Sequence, residues 1–106
     1  MSWLNVARLS DLAPDYPTAC SVEGHRIALY LVDGAVYGTS NICTHQFALL
    51  SDGYHEDGVV ECPLHQGRFD VRTGKALCST LTIDLATYEV DVRGDEVWVC
   101  IQGDGR

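Results

Sequence analysis

The chain has 106 residues, 46% of them hydrophobic and 21% charged, which is typical of one folded domain and leaves no room for a second catalytic module. Its net charge of −8 disfavours nucleic acid and anionic membranes as partners. The acidity either favours binding to a partner protein with a cationic surface or only maintains solubility. No apolar run reaches the roughly 18 residues of a membrane span, and residues 1–12 do not resemble an export signal, so we expect a cytoplasmic protein.

Short strands and turns are predicted in the first part of the chain. A first strand is expected over 4–9, followed by a turn, with or without a short helical piece, at 11–14. The segment 25–32 is rich in β-branched and apolar residues, and Asp33-Gly34 after it is a strong signal for a two-residue hairpin turn. The returning strand is expected over 35–38.

A second hairpin is predicted near the end of the chain. Apolar and polar residues alternate over 88–92, Gly94-Asp95 predicts a turn, and Val97, Val99 and Ile101 continue the alternation. Between the two hairpins lies a glycine-rich segment with one short strand, at 59–61. The pattern therefore predicts an all-β domain that carries an inserted, loop-rich subdomain.

Two Cys-His pairs bracket this insert. They are Cys43-Thr44-His45 and, after sixteen intervening residues, Cys62-Pro63-Leu64-His65. Each pair places a thiol and an imidazole on one loop, so two loops supply four metal ligands. Zinc would accept this donor set, but a Cys2His2 zinc finger usually presents both cysteines first. The alternating order favours a two-metal cluster, because each loop can then contact both metals.

These motifs resemble the C-x-H and C-x-x-H motifs of the Rieske iron–sulfur proteins. The resemblance extends through Gly67, Phe69, Asp70 and Thr73-Gly74 and over most of the chain. It implies a Rieske-like antiparallel β-sandwich over 1–106 with an inserted cluster-binding subdomain of two loops at about 42–69. It further implies one [2Fe–2S] cluster, with Cys43 and Cys62 on one iron and His45 and His65 on the other.

Four positions point to a branch of this family. The respiratory members have an extra disulfide, with cysteines near the positions of Ala48 and Leu64, and hydroxyl residues at positions that align with Gly67 and Phe69. The chain lacks all four. The resemblance is therefore to the soluble ferredoxins of bacterial aromatic-ring-hydroxylating dioxygenases, which are electron carriers rather than enzymes. It implies a monomer that passes electrons from a flavin- and NAD(P)H-dependent reductase to a terminal oxygenase.

Two alternatives of another class remain open from the sequence. A Rieske-like small subunit of another reductase complex, such as a nitrite reductase, would carry the same ligands, and a structural zinc module would use them without redox chemistry. The neighbours of the two histidines are expected to form the docking surface: Gln46, Phe47, Ala48 and Leu49 on one loop and Pro63, Leu64 and Gln66 on the other.

The remaining cysteines and histidines do not have ligand spacing. An odd total of five cysteines makes a disulfide framework unexpected. Cys20 and Cys100 are predicted to be core residues and Cys78 a small packed residue. His25 and His55 are predicted to be solvated turn residues.

Overall fold

The structure is a computed structural model that describes residues 2–43, 48–63, 67–77 and 84–101. Within these ranges the chain forms ten strands and two 3₁₀ turns, the turns at Leu9–Asp11 and Leu50–Asp52. No helix in the described ranges is long and apolar enough to cross a membrane. In chain order the strands are β1 Ser2–Arg8, β2 Thr18–Val22, β3 His25–Val32, β4 Ala35–Ser40, β5 Tyr54–Glu56, β6 Val59–Glu61, β7 Arg68–Asp70, β8 Thr87–Tyr88, β9 Val90–Arg93 and β10 Glu96–Ile101.

The strands form three antiparallel sheets, which confirms the predicted all-β class. One sheet has the order β1-β10-β9 and a second the order β2-β3-β4-β8, and these two pack face to face as a sandwich. The third sheet, β5-β6-β7, belongs to the inserted segment. It lies against the outer face of the second sheet.

The first predicted hairpin is confirmed and is longer than expected. Asp33 and Gly34 both have positive φ, 51° and 83°, as a type I′ turn requires. Strand β4 continues two residues beyond the predicted end, to Ser40. This extension brings the chain to Asn41, where the first candidate ligand loop begins.

The strand predicted over 88–92 is wrong as a single element. It divides at Glu89 into β8, which pairs with β4, and β9, which pairs with β10. Tyr88 and Val90 nevertheless both pack against the apolar layer between the two sheets. The alternation therefore continues across the break, and only the hydrogen-bonding partner changes.

Three strands and one turn position were not foreseen. Strand β2 contains the sequence TACSV, in which polar and apolar side chains are too mixed for a clear strand signal. Strands β5 and β7 have three residues each and hold their conformation through pairing with β6. The 3₁₀ turn at Leu9–Asp11 begins before the turn expected over 11–14.

The two faces of β3 bury two different apolar layers. Ile27 and Leu29 point into the layer between the sandwich sheets. Ala28, Tyr30 and Val32 point the other way, into a layer shared with the inserted subdomain. Because both faces are covered, the strand has a nearly continuous apolar sequence instead of an alternating one.

Both predictions for the spare histidines are wrong. His55 is only 2% exposed, because its strand β5 packs on Tyr30 with the two rings edge to face at 5.4 Å. His25 begins β3, is half-buried, and has its Nδ1 3.1 Å from the Tyr88 hydroxyl. Acidic and glycine neighbours suggested solvated turns at both positions. Adjacent residues of a strand point to opposite faces, so charged neighbours indicate the exposed face and say nothing of the buried one.

The structure places Cys20 and Cys100 in packed positions, as predicted. Cys100 is buried, and Cys20 is half-buried on the apolar layer of the sandwich, where burial raises the pKa of its thiol to about 11. Cys78 lies outside the described residues. Of the described cysteines, Cys20 and Cys100 are thus packing residues.

Burial of His55 makes the stability of the fold dependent on pH. Burial lowers the pKa of His55 below its usual 6.5, against the opposing charge of Asp15. Above pH 6.5 the imidazole is neutral in both folded and unfolded chains. Below it, the unfolded chain takes up a proton that the folded chain does not, so stability falls by at most about 1.4 kcal/mol per pH unit.

We therefore expect the free energy of unfolding, measured with urea, to decrease between pH 7.5 and 5.5. The His55→Phe variant keeps a ring against Tyr30 but cannot titrate, so it should lose this part of the pH dependence. An equal decrease in both proteins would contradict the assignment to His55.

Candidate metal centre

The first ligand loop leaves the sandwich at the end of β4. The backbone N–H of Cys43 donates to the carbonyl of Ala48 at 2.9 Å, and Ile42 and Leu49 form an antiparallel bridge beneath it. The chain between these points, 44–47, contains His45 and lies outside the described residues. Its two ends are therefore fixed next to one another, as the base of a closed loop.

The side chain of Asn41 secures this base. It is 4% exposed, and its Nδ2 donates to the Ser51 hydroxyl at 2.9 Å while its Oδ1 accepts from the Ser51 backbone N–H at 2.8 Å. Its backbone N–H donates to the carbonyl of Arg26, and its carbonyl accepts from Leu50. Sequence reasoning missed Asn41, since a single buried amide gives no periodic signal.

The second ligand loop is closed by the same device. The backbone N–H of Cys62 donates to the carbonyl of Gly67 at 2.7 Å, between the end of β6 and the start of β7. His65 and its two neighbours, 64–66, lie outside the described residues. In both loops a cysteine N–H thus bonds to the carbonyl five residues later, and the loop so closed contains the predicted histidine.

The two predicted cysteine ligands are brought into one buried cluster. Cys43 is 3% exposed and Cys62 fully buried, and both belong to the apolar layer that also contains Phe69 and Tyr30. Buried thiols at the bases of two neighbouring loops can face a common inorganic centre. A water-shielded sulfur environment of this kind suits a redox cluster, whose potential depends on solvent access.

The arrangement corrects the predicted docking surface in part. Ala48 is 6% exposed and packs in the layer around the cysteines, and Leu49 is half-buried, so Ala48 at least cannot contribute to a contact surface. Pro63, from the second loop, is exposed as expected. The described residues alone assemble no group of three or more metal ligands, because two of the four predicted ligands lie outside them.

Gly53 allows the two loops to approach one another. A Cβ at this position would lie 2.5 Å from the Glu61 carbonyl oxygen and 3.4 Å from Cδ of Pro63. The glycine thus places the chain that leaves the first loop directly against the chain that enters the second. Its φ of −102° is open to any residue, so the constraint is contact and not backbone strain.

Comparison with known proteins gives a consistent result. Residues 2–89 match the family model described as the Rieske [2Fe–2S] domain. The ferredoxin component of the naphthalene 1,2-dioxygenase/salicylate 5-hydroxylase systems of a Ralstonia species is 49% identical over 96 residues, which cover 91% of this chain and 92% of that protein.

Two solved structures are similar over nearly the whole chain. The ferredoxin of carbazole 1,9a-dioxygenase from Nocardioides aromaticivorans IC177 has a TM-score of 0.90 at 36% identity, covering 96% of this chain and 100% of that one. A complex of reduced oxygenase and oxidised ferredoxin in carbazole 1,9a-dioxygenase contains a chain with a TM-score of 0.84 at 39% identity, covering 92% and 91%.

The close approach at Gly53 predicts that even a methyl group disrupts the centre. In Gly53→Ala the new Cβ meets a backbone carbonyl that cannot turn away, so we expect a loss of about 1–3 kcal/mol in the free energy of unfolding and a lower iron content after purification. The matched control is Gly38→Ala in β4, where a Cβ meets only side-chain carbons, the nearest at 3.1 Å. Equal iron content in the two variants would contradict a role for Gly53 in holding the loops.

Proposed function

The chain belongs to the Rieske [2Fe–2S] domain family, and from that premise we propose that Cys43, His45, Cys62 and His65 hold its single [2Fe–2S] cluster. Cys43 and Cys62 share one iron in this proposal, and His45 and His65 share the other. The observation that carries it is the matching closure of the two loops by the cysteine N–H groups above one buried layer.

The residues present fit such a cluster. Both cysteines are buried in a common apolar layer, where sulfur ligands are shielded from water. When bound, the cluster supplies reversible one-electron chemistry. The chain's own residues hold the loop ends fixed by backbone hydrogen bonds and exclude water on the sulfur side.

The chain acts as an electron carrier for an aromatic-ring-hydroxylating dioxygenase system and not as an enzyme in its own right. Its relatives of similar length are ferredoxin components of such systems, and a ferredoxin of this kind forms a complex with its oxygenase. The terminal oxygenase is accordingly the partner that receives the electron. This interpretation is therefore favoured over the two alternatives, a small subunit of another reductase complex and a structural zinc module.

The finer features of this role complete the proposal. The electron donor is a flavin- and NAD(P)H-dependent reductase, and the carrier is a cytoplasmic monomer that meets its two partners in turn. Residues 1–106 form one Rieske domain, with the cluster-binding subdomain at about 42–69. The net charge of −8 supports a search for partners with basic surfaces.

Removal of one ligand tests the ligand set. We expect His65→Ala to lose the Rieske electron paramagnetic resonance signal of the reduced protein, because one iron then has a single imidazole and one loop no longer binds both metals. His25→Ala is the matched control and should keep the signal, since His25 lies at the start of β3 with its Nδ1 3.1 Å from the hydroxyl of Tyr88 on β8. A normal signal in His65→Ala would refute the assignment.

The reduction potential tests the branch of the family. Gly67 and Phe69 are both buried beside the second loop and neither carries a hydroxyl group. Hydrogen bonds to cluster sulfurs stabilise the more negative, reduced state, so their absence lowers the potential. Voltammetry should give a value near the low end of the Rieske range, about −150 mV.

The double variant Gly67→Ser, Phe69→Tyr should have a higher potential than the unaltered protein. The control Gly67→Ala adds bulk without a hydroxyl group and should leave the potential nearly unchanged. A clearly positive potential in the unaltered protein would instead place it with the respiratory members.

A further inference from the structure

The 3₁₀ turn at Leu50–Asp52 lies between the two ligand loops in the chain. It directly follows the base of the first loop, where Cys43 bonds to Ala48, and it leads through Gly53 into the inserted sheet. Leu50 is fully buried in the apolar layer that also contains both cysteines. The turn has no side-chain cap at its start. Its position therefore depends on contacts with the chain around it.

Asn41 supplies polar contacts that fix this turn. Three hydrogen bonds join the turn to the chain that leaves β4, and each of them ends on Asn41. Its carbonyl accepts from the Leu50 N–H at 2.8 Å, its Oδ1 accepts from the Ser51 N–H at 2.8 Å, and its Nδ2 donates to the Ser51 hydroxyl at 2.9 Å. Asn41 is itself tied to the sandwich, because its N–H donates to the Arg26 carbonyl at 2.9 Å. One residue thus joins the turn to the sandwich.

The hydrogen bonds of Asn41 define the position of the turn more closely than the burial of Leu50 does. Apolar packing is non-directional, whereas two hydrogen bonds to the N–H and hydroxyl of one serine are satisfied together in a narrow range of geometries. Asn41 is 4% exposed, so a displaced turn would leave a buried amide without partners. The side chain therefore holds the turn in one place.

The end of the turn contacts the second ligand loop. A Cβ added at Gly53 would lie 2.5 Å from the Glu61 carbonyl oxygen and 3.4 Å from Cδ of Pro63. Glu61 and Pro63 are the residues on either side of Cys62. The backbone that leaves the turn is thus packed against the chain that carries the second cysteine, and a shift of the turn changes this contact.

We propose that Asn41 is a positioning residue for both ligand loops, although it lies next to only one of them. It fixes the turn, and the turn transmits this constraint through Gly53 to the chain around Cys62. The two loops are then held in one mutual arrangement, as the ligands of a single centre require. Only the identity of that centre as an iron–sulfur cluster rests on the proposed function; the contacts between the loops do not.

Amide hydrogen exchange of the holoprotein, followed by mass spectrometry, tests the coupling directly. Asn41→Ala removes both side-chain bonds to Ser51, and we expect exchange in segment 59–63 to accelerate about five-fold or more. The control segment 96–101 forms β10 in the opposite sheet and should change less than about two-fold. The control variant Tyr88→Phe removes the hydrogen bond to His25 and should leave exchange in 59–63 unchanged.

Two results of this experiment would overturn the proposal. Unchanged exchange in 59–63 would show that the second loop is held without Asn41. Equal acceleration in 59–63 and 96–101 would mean that the substitution only destabilises the whole domain. If Asn41→Ala does not fold, Ser51→Ala takes its place; it removes one of the two side-chain bonds and should accelerate exchange in 59–63 about two-fold, again without an effect on 96–101.

The rate at which a chelator removes the cluster gives a second, independent measurement. Asn41→Ala and Gly53→Ala should each accelerate cluster loss about five-fold or more, but the double variant should lose the cluster much more slowly than the product of the two effects predicts. Both changes release the same turn, so the second has little left to disrupt. Asn41→Ala combined with Gly38→Ala in β4 should give the simple product.

Multiplication of the Asn41→Ala and Gly53→Ala effects would show that the two loops are held independently and would overturn the coupling. Absence of iron–sulfur absorbance in the unaltered protein would instead refute the proposed cluster. In that case the exchange rate of segment 59–63, measured with whichever metal the protein holds, would still decide the role of Asn41.

Discussion

Burial of both faces of β3 is the constraint on which the other parts of the structure depend. Ile27 and Leu29 on one face close the sandwich, and Ala28 and Tyr30 on the other support the layer in which both cysteines lie. A register shift of one residue would exchange the two sets and leave neither layer intact. The positions of Cys43 and Cys62 are therefore fixed by the same pairing that forms the domain.

The polar groups near the cysteines extend this rigidity to the loops. Tyr30 shares a hydrogen bond of 2.8 Å with Thr39 at the end of β4, and Asn41 joins β4 to the 3₁₀ turn at Leu50–Asp52. Satisfied buried hydrogen bonds specify one arrangement, because any alternative leaves a polar atom unpaired. A carrier that must hold its ligands in both oxidation states benefits from such fixed loop bases, which limit rearrangement between the two states.

What the sequence reveals depends on whether a feature is local. The Asp33-Gly34 turn and the Cys-His spacing are local, and the strand pairing and the buried cysteines agree with them. The division of the 88–92 strand could not be foreseen, because it follows from which sheet edge each half meets. The burial of His55 was missed for a similar reason: Tyr30 of β3, against which it packs, lies 25 residues earlier in the chain.

The distribution of charge fits a protein that must meet a partner quickly and release it again. Exposed carboxylates act over roughly a Debye length, about 8–10 Å at physiological salt, and accelerate encounter only with a basic surface, without adding much binding energy. The loop bases around Cys43 and Cys62 are instead apolar and buried. Strong charges beside the cysteines would shift the potential and hold partners too long. The exposed Asp33 and Asp57 lie in turns at the end of the β5–β6 hairpin remote from Cys62, so their charge adds to the long-range field of the protein and leaves the apolar surroundings of the cysteines unchanged.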